Sequence, residues 1–284
     1  MRSFPHPKDQ HVTVPAAAEP PTGTVRPKSL LPACPTSVTI DVINDDNSGD
    51  ERVTMPDNSA RPTRLTRDRI VAAAVRIAAR GRPDGLTGRA LGEELGVDRS
   101  AVWRHFADKD ALLRAVGDRL LTLAYEQVPA GLDPKARLEA LARAVVAVFV
   151  GHPYVGSAIA SRTTRGPGEF AVVDMMLTAL AELGLSPDDV VRYQRMLAVS
   201  VLSYAGVSAG YAVLPQKVRD ADERAWTREY FALDAEEYPG IAEYSARLAD
   251  VGPDAVLDTM IEAFWTAVDA RTLSNTNERN DSHD

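Results

Sequence analysis

The stretch from Leu86 to Leu113 constrains this chain most, because three helix start signals and one sharp helix stop crowd into it. Thr87 can cap a short helix in which Ala90, Leu91 and Leu95 recur at one-turn spacing. Gly96 then supplies the positive φ that a tight helix exit needs. Asp98 opens a second helix, with Val102 and Phe106 on its inner face and Ser100, Trp103 and Arg104 on its outer face, flanked by Arg99. Asp108 opens a third, carrying Leu112, Leu113, Val116 and Leu120 on one side. Upstream, Thr66 begins a longer helix with Ile70, Val71, Ala74, Ile77 and Ala78 in phase, ended by Gly81 and Pro83. An arginine-bearing outer face on the second helix of such a pair fits a helix lying in a DNA major groove.

The run from Gly96 to Leu113, GVDRSAVWRHFADKDALL, with Leu86-Thr87 and Leu91 ahead of it, resembles the signature of the tetracycline-repressor (TetR) family. The region downstream is similar to that family in length, helix content and its last helix. The resemblance implies an all-α fold: a three-helix helix-turn-helix DNA-binding head plus a helical ligand-binding and dimerisation domain. It also implies DNA contacts at Arg89 in the first helix of the motif, at Arg99, Ser100, Ala101, Trp103, Arg104 and His105 in the recognition helix, and at Lys109 at the start of the next. Chemistry agrees for most of these, since an arginine forks onto a guanine edge and Lys109 adds its charge to a helix N-terminus facing a phosphate. Trp103 departs from the family, which usually has Tyr there; an indole donates one hydrogen bond but accepts none. His105 lies at the border of the inner face, where packing is the competing role.

Charge divides the chain in the same way. Residues 61–109 carry 11 Lys and Arg against 6 Asp and Glu, in a chain whose net charge is −8. Phosphate attraction is local and salt-screened, so the basic segment decides which end meets DNA. Arg61, Arg64 and Arg67 ahead of the first helix form either a basic arm or a solvated linker. Residues 1–60 are rich in Pro, Ser, Thr and Asp and hold no lasting periodicity, so they are expected to be a disordered leader. Val38 to Val42 is its one β-like run, and Met55, just ahead of the basic arm, is a candidate natural start. The single cysteine, Cys34, lies there too, which rules out an intrachain disulfide and a cysteine metal cluster.

From residue 110 the chain reads as helices over 109–127, 133–150, 153–162, 168–183, 187–214, 218–232, 238–249 and 253–271, with no strand and no repeat. The expected division is a leader at 1–60, a head at 61–109, a helical body at 110–271 and a disordered tail at 272–284. Met196 to Leu214 has no charge and reaches membrane-span length, but its serines, Tyr204, Gly206 and Gly210, with basic residues on both flanks, favour a covered helix in a soluble protein. Together with the stripe Leu257, Met260, Ile261, Phe264 and Val268 it predicts a two-fold homodimer interface, as the family resemblance also implies.

A pocket for a small-molecule effector is implied by the resemblance. Its candidate residues are Tyr154, Met175, Met176, Tyr193, Met196, Tyr204, Tyr211 and Trp226, with His152 and Arg162 as polar orienters. Each is also ordinary helical core. Only His105 and His152 stand outside the chain's ends, without a paired-histidine motif or a phosphate-binding glycine loop, so no catalytic residue, metal site or cofactor is expected. The function expected is a cytoplasmic, ligand-responsive regulator on a near-palindromic double-stranded DNA operator. Its alternatives are a helical partner-binding adaptor and, last, an enzyme.

Overall fold

A computed structural model describes residues 64–81 and 86–281, with side chains through 274. The expected leader with Cys34 and Met55, as well as Arg61, Pro83 and residues 282–284, lie outside the described residues.

Local capping sets where the helices begin. In α1 (Arg67–Ala78) the Thr66 hydroxyl accepts from Arg69 N at 3.2 Å, and in α2 (Gly88–Leu95) Thr87 accepts from Ala90 N at 3.1 Å. Asp98 opens α3 (Arg99–Val102) and Asp108 opens α4 (Lys109–Glu126), each carboxylate accepting a backbone N–H at 2.7 Å. Gly96 leaves α2 with φ +66°, as the turn requires. Further on, proline occupies the first turn of α5 (Pro134–Gly151), α6 (Pro153–Ile159), α7 (Pro167–Glu182) and α8 (Pro187–Ala212), where its missing N–H costs nothing. After α9 (Gln216–Arg224) the chain widens into a π turn at Ala225–Glu229 and tightens into a 3-10 turn at Tyr230–Ala232. The last helices are α10 (Pro239–Asp250) and α11 (Pro253–Asp281). Among the described residues there is no strand.

Two expectations need correction. The helix expected to hold the DNA contacts is only one turn long: Trp103 closes it, and His105 N donates to Val102 O at 3.0 Å in a tight turn. Val102 and Phe106 are both buried as expected, but they are not one turn apart in one helix. Asp108 must reach an extended backbone, φ −159°, to cap α4, so the chain leaves the helix before Phe106. At the other end, α11 runs through Asp281 rather than stopping at 271, because residues 272–281 contain neither proline nor glycine to break it.

Core packing makes α4 the shared element. Its Leu112 and Val116 are fully buried, and the helix packs on α1 at one end and on α5, α6 and α7 further along. α8 lies across α5, α6 and α7. α9, the two turns and α10 pack mainly on one another, between α8 and α11.

Candidate functional site

The helix-turn-helix closes on two glycines. A Cβ on Gly92 would meet Val97 O at 2.7 Å, so the turn after α2 folds back onto its own helix only because that position is bare. A Cβ on Gly88 would meet Trp103 Nε1 at 2.5 Å, which places the indole against the first turn of α2. Asp98 is held below the usual carboxylate range by its hydrogen bonds from Ser100. α1 and α2 are pinned by Glu94, which takes Arg76 Nε at 2.9 Å and Arg80 Nη2 at 2.7 Å; these bonds hold its carboxyl below the ordinary value.

The residues assigned to DNA differ in how free they are. Arg99, Ser100 and Arg104 are exposed around α3 and its following turn, and Ala101 and His105 are half-buried. Trp103 is 37% exposed, with its donor atom beside α2. Arg89 is exposed but paired with Glu93, one turn on, at 2.9 Å. Lys109 is also engaged: its Nζ donates to Tyr154 Oη at 3.2 Å and lies 5.6 Å from that ring's centre. Arg67 stacks at 4.4 Å over the buried Phe106 ring, so this arginine braces the head's core.

In the body, α4 to α8 enclose a cavity of about 850 Å³, its open mouth included. Leu141, Val145, Phe149, Val172, Leu197 and Val201 supply apolar wall, and Arg162, Thr164, Glu169, Gln194 and Arg195 supply the polar part. Of the eight residues named as ligand candidates, the cavity takes Met176 alone. The tyrosines serve as tethers. Tyr193, Tyr204 and Tyr211 donate to Ala267 O at 3.1 Å, Pro253 O at 2.6 Å and Arg219 O at 3.2 Å, while Tyr154 holds Lys109. Met175 packs on the core outside the lining, Met196 is exposed on α8, and Trp226 leans on Tyr230 at 4.7 Å. His152 lies at the α5–α6 bend with Nδ1 2.8 Å from Val148 O, away from the lining. Arg162 does line the cavity, and it forms an ion pair with Asp110 in the first turn of α4. That pair spans 52 positions, and no local signal in the chain announces it.

A basic helix-turn-helix on an all-helical body with an apolar cavity is the architecture of a one-component transcriptional regulator. Residues 70–116 match the bacterial regulatory proteins of the tetR family, and residues 130–257 match the tetracyclin repressor-like C-terminal domain. The chain belongs to the tetR family and is a DNA-binding transcriptional regulator.

Among its relatives, the tetracycline repressor protein class A from transposon 1721 of Escherichia coli is 30% identical over 200 residues, 69% of this chain and 87% of that one. The HTH-type transcriptional repressor DrrR1 of Streptomyces coeruleorubidus is 33% identical over 139 residues, 48% of this chain; the match spans half of DrrR1's length. Solved structures share the fold. The TetR regulator SCO7222 of Streptomyces coelicolor superposes with a TM-score of 0.61 at 24% identity, covering 74% of this chain and 100% of that one. ActR of the same organism, in complex with actinorhodin, gives 0.63 at 20% identity, covering 74% and 99%. No single helix among the described residues is long and apolar enough to cross a membrane.

Proposed function

We propose that this chain acts as a homodimer on a near-palindromic operator, dividing at the start of α4 into a DNA-reading head and an effector-binding body. The carrying observation is the outward set Arg99, Ser100 and Arg104 on a helix-turn-helix whose opposite side is buried by Val102 and Phe106. In this reading Arg99 reads a guanine edge, while Ser100, Ala101, Trp103, Arg104 and His105 line the groove or its phosphates. Arg89 and Lys109 meet phosphate by giving up Glu93 and Tyr154.

Exposure on α8 supports the dimer. Met196, Val199 and Val207 share one face of α8 and are 46%, 56% and 74% exposed, an apolar stripe that a second copy would cover. Two heads one DNA turn apart then read two half-sites. A small molecule in the cavity releases the DNA by favouring another spacing of the heads. The protein works by binding rather than catalysis, in the cytoplasm where its DNA lies.

The test is a mobility shift with DNA flanking the protein's own gene, at two salt concentrations. A sequence-selective shift that weakens as salt rises is expected. No selective shift at physiological salt, from protein shown to be dimeric, would overturn the reading in favour of a partner-binding adaptor.

A further inference from the structure

We propose that the cavity takes an amphipathic organic anion, an apolar body bearing one acid group, which Arg162 and Arg195 hold and which draws Arg162 away from Asp110. This rests on the reading of the cavity as the effector site. The walls are aliphatic and aromatic, whereas the polar part carries two guanidiniums, Arg162 and Arg195, and one carboxylate, Glu169.

Glu169 is turned to its own backbone. Its Oε2 accepts from Arg165 N at 2.6 Å and lies 3.0 Å from Thr164 Oγ1, whose one proton has Asp118 Oδ1 nearer, at 2.8 Å. Arg195 has no ion pair or hydrogen bond among the described residues, and it reaches the rim from the exposed side of α8. A cationic occupant would meet two guanidiniums. A neutral one would draw nothing from Arg195's charge, whereas an acid against low-dielectric walls gains a charge-assisted bond to a planar fork.

The exchange at Arg162 does not strand its partner. Asp110 Oδ2 also holds Arg114 Nη1 at 2.6 Å, so the carboxylate keeps a cation after Arg162 turns inward. The place of the exchange gives it meaning. α6 and its exit grip the first turn of α4 at two adjacent residues, Tyr154 on Lys109 and Arg162 on Asp110. Losing the second grip alters the support of the lysine assigned to phosphate.

Two fluorescent probes of nearly one shape separate the acid from the apolar body: 1-anilinonaphthalene-8-sulfonate and its uncharged counterpart N-phenyl-1-naphthylamine, titrated into the full-length dimer. The sulfonate should bind about tenfold tighter, the worth of one charge-assisted hydrogen bond. Arg162→Gln and Arg195→Gln should each remove most of that preference while leaving the amine unchanged. Asp110→Asn, which frees Arg162, should tighten the sulfonate alone. Leu141→Trp and Ala198→Trp, checked for retained helicity, should fill the cavity and displace both probes.

If folded cavity-filling variants keep both probes, or neither probe binds, the effector-site reading falls and the proposal with it. If filling displaces both probes but the sulfonate shows no preference, or its preference survives both arginine substitutions, the cavity stands as a ligand site and the anion proposal is overturned. An Asp110→Asn variant that binds the sulfonate no better overturns the exchange.

Discussion

Replacing Gly88 by alanine should weaken DNA binding without unfolding the head. The new methyl would stand 2.5 Å from Trp103 Nε1, 3.0 Å from Cε2 and 3.2 Å from Cζ2, all well inside contact distance. The indole must withdraw by about 1 Å to reach ordinary carbon separations. Trp103 is 37% exposed and forms the end of α3, so it has room to move outward, and the cost falls on where its N–H points. Alanine is a better helix former than glycine, by about 1 kcal/mol in a helix interior and by less at the first position of α2, which offsets part of the crowding. Melting should therefore shift little. A misdirected donor forfeits one phosphate hydrogen bond, about 0.5–1.5 kcal/mol, or roughly two- to tenfold in affinity. Fluorescence anisotropy with an operator fragment measures this, beside Trp103→Phe, which keeps a ring and deletes the donor. In the Trp103→Phe background the glycine substitution should have almost no further effect. Undiminished DNA affinity in Gly88→Ala, or a full effect in the double variant, would refute the idea that this glycine aims the indole.

Other outcomes follow from the same geometry. Arg104→Ala should flatten the salt dependence of DNA binding by about one unit of slope, whereas Arg99→Ala should relax base preference; an unchanged profile for both rejects the contact assignment. Val207→Glu puts a charge into the α8 stripe and should yield monomers in sedimentation, and a persistent dimer would move the interface elsewhere. Glu94 titrates below its ordinary 4.5, so its hold on Arg76 and Arg80 is complete above pH 4.5 and is lost as pH falls through the lower folded value. Glu94→Gln should therefore remove part of the acid-induced loss of stability below pH 4.5, and identical acid melts would show the pair contributes nothing.

What could be read from the chain was local. Thr66, Thr87, Asp98, Asp108, Asp133 and Ser186 each accept a backbone N–H two or three residues ahead, so cap and helix announce each other within one turn. The length of α3 misleads for a related reason: a buried residue four positions after Val102 imitates a helical face, although Phe106 reaches the core from a turn. The cavity was hardest to see. Aromatic and sulfur side chains are natural candidates for a binding wall, yet in a helical body a tyrosine hydroxyl is as useful for tying a helix to a distant carbonyl, as Tyr193 ties α8 to α11 across 74 positions. The wall of the observed cavity is built from Leu141, Val145, Val201 and their like, whose chemistry is that of any core. Nothing in sequence distinguishes an aliphatic residue facing a void from one facing a neighbour.

Asp118 sits midway along α4 and accepts from Gly168 N at 3.1 Å, Glu169 N at 3.0 Å and Thr164 Oγ1 at 2.8 Å, the start of the helix that forms one cavity wall. The helix that leads out of the helix-turn-helix thus holds part of the wall. Under that linkage the two sites share one free-energy account: whatever factor an effector takes from operator affinity, operator must take from effector affinity. A saturating DNA fragment is then itself a reporter on the cavity, able to reveal an effector before any gene it controls is known.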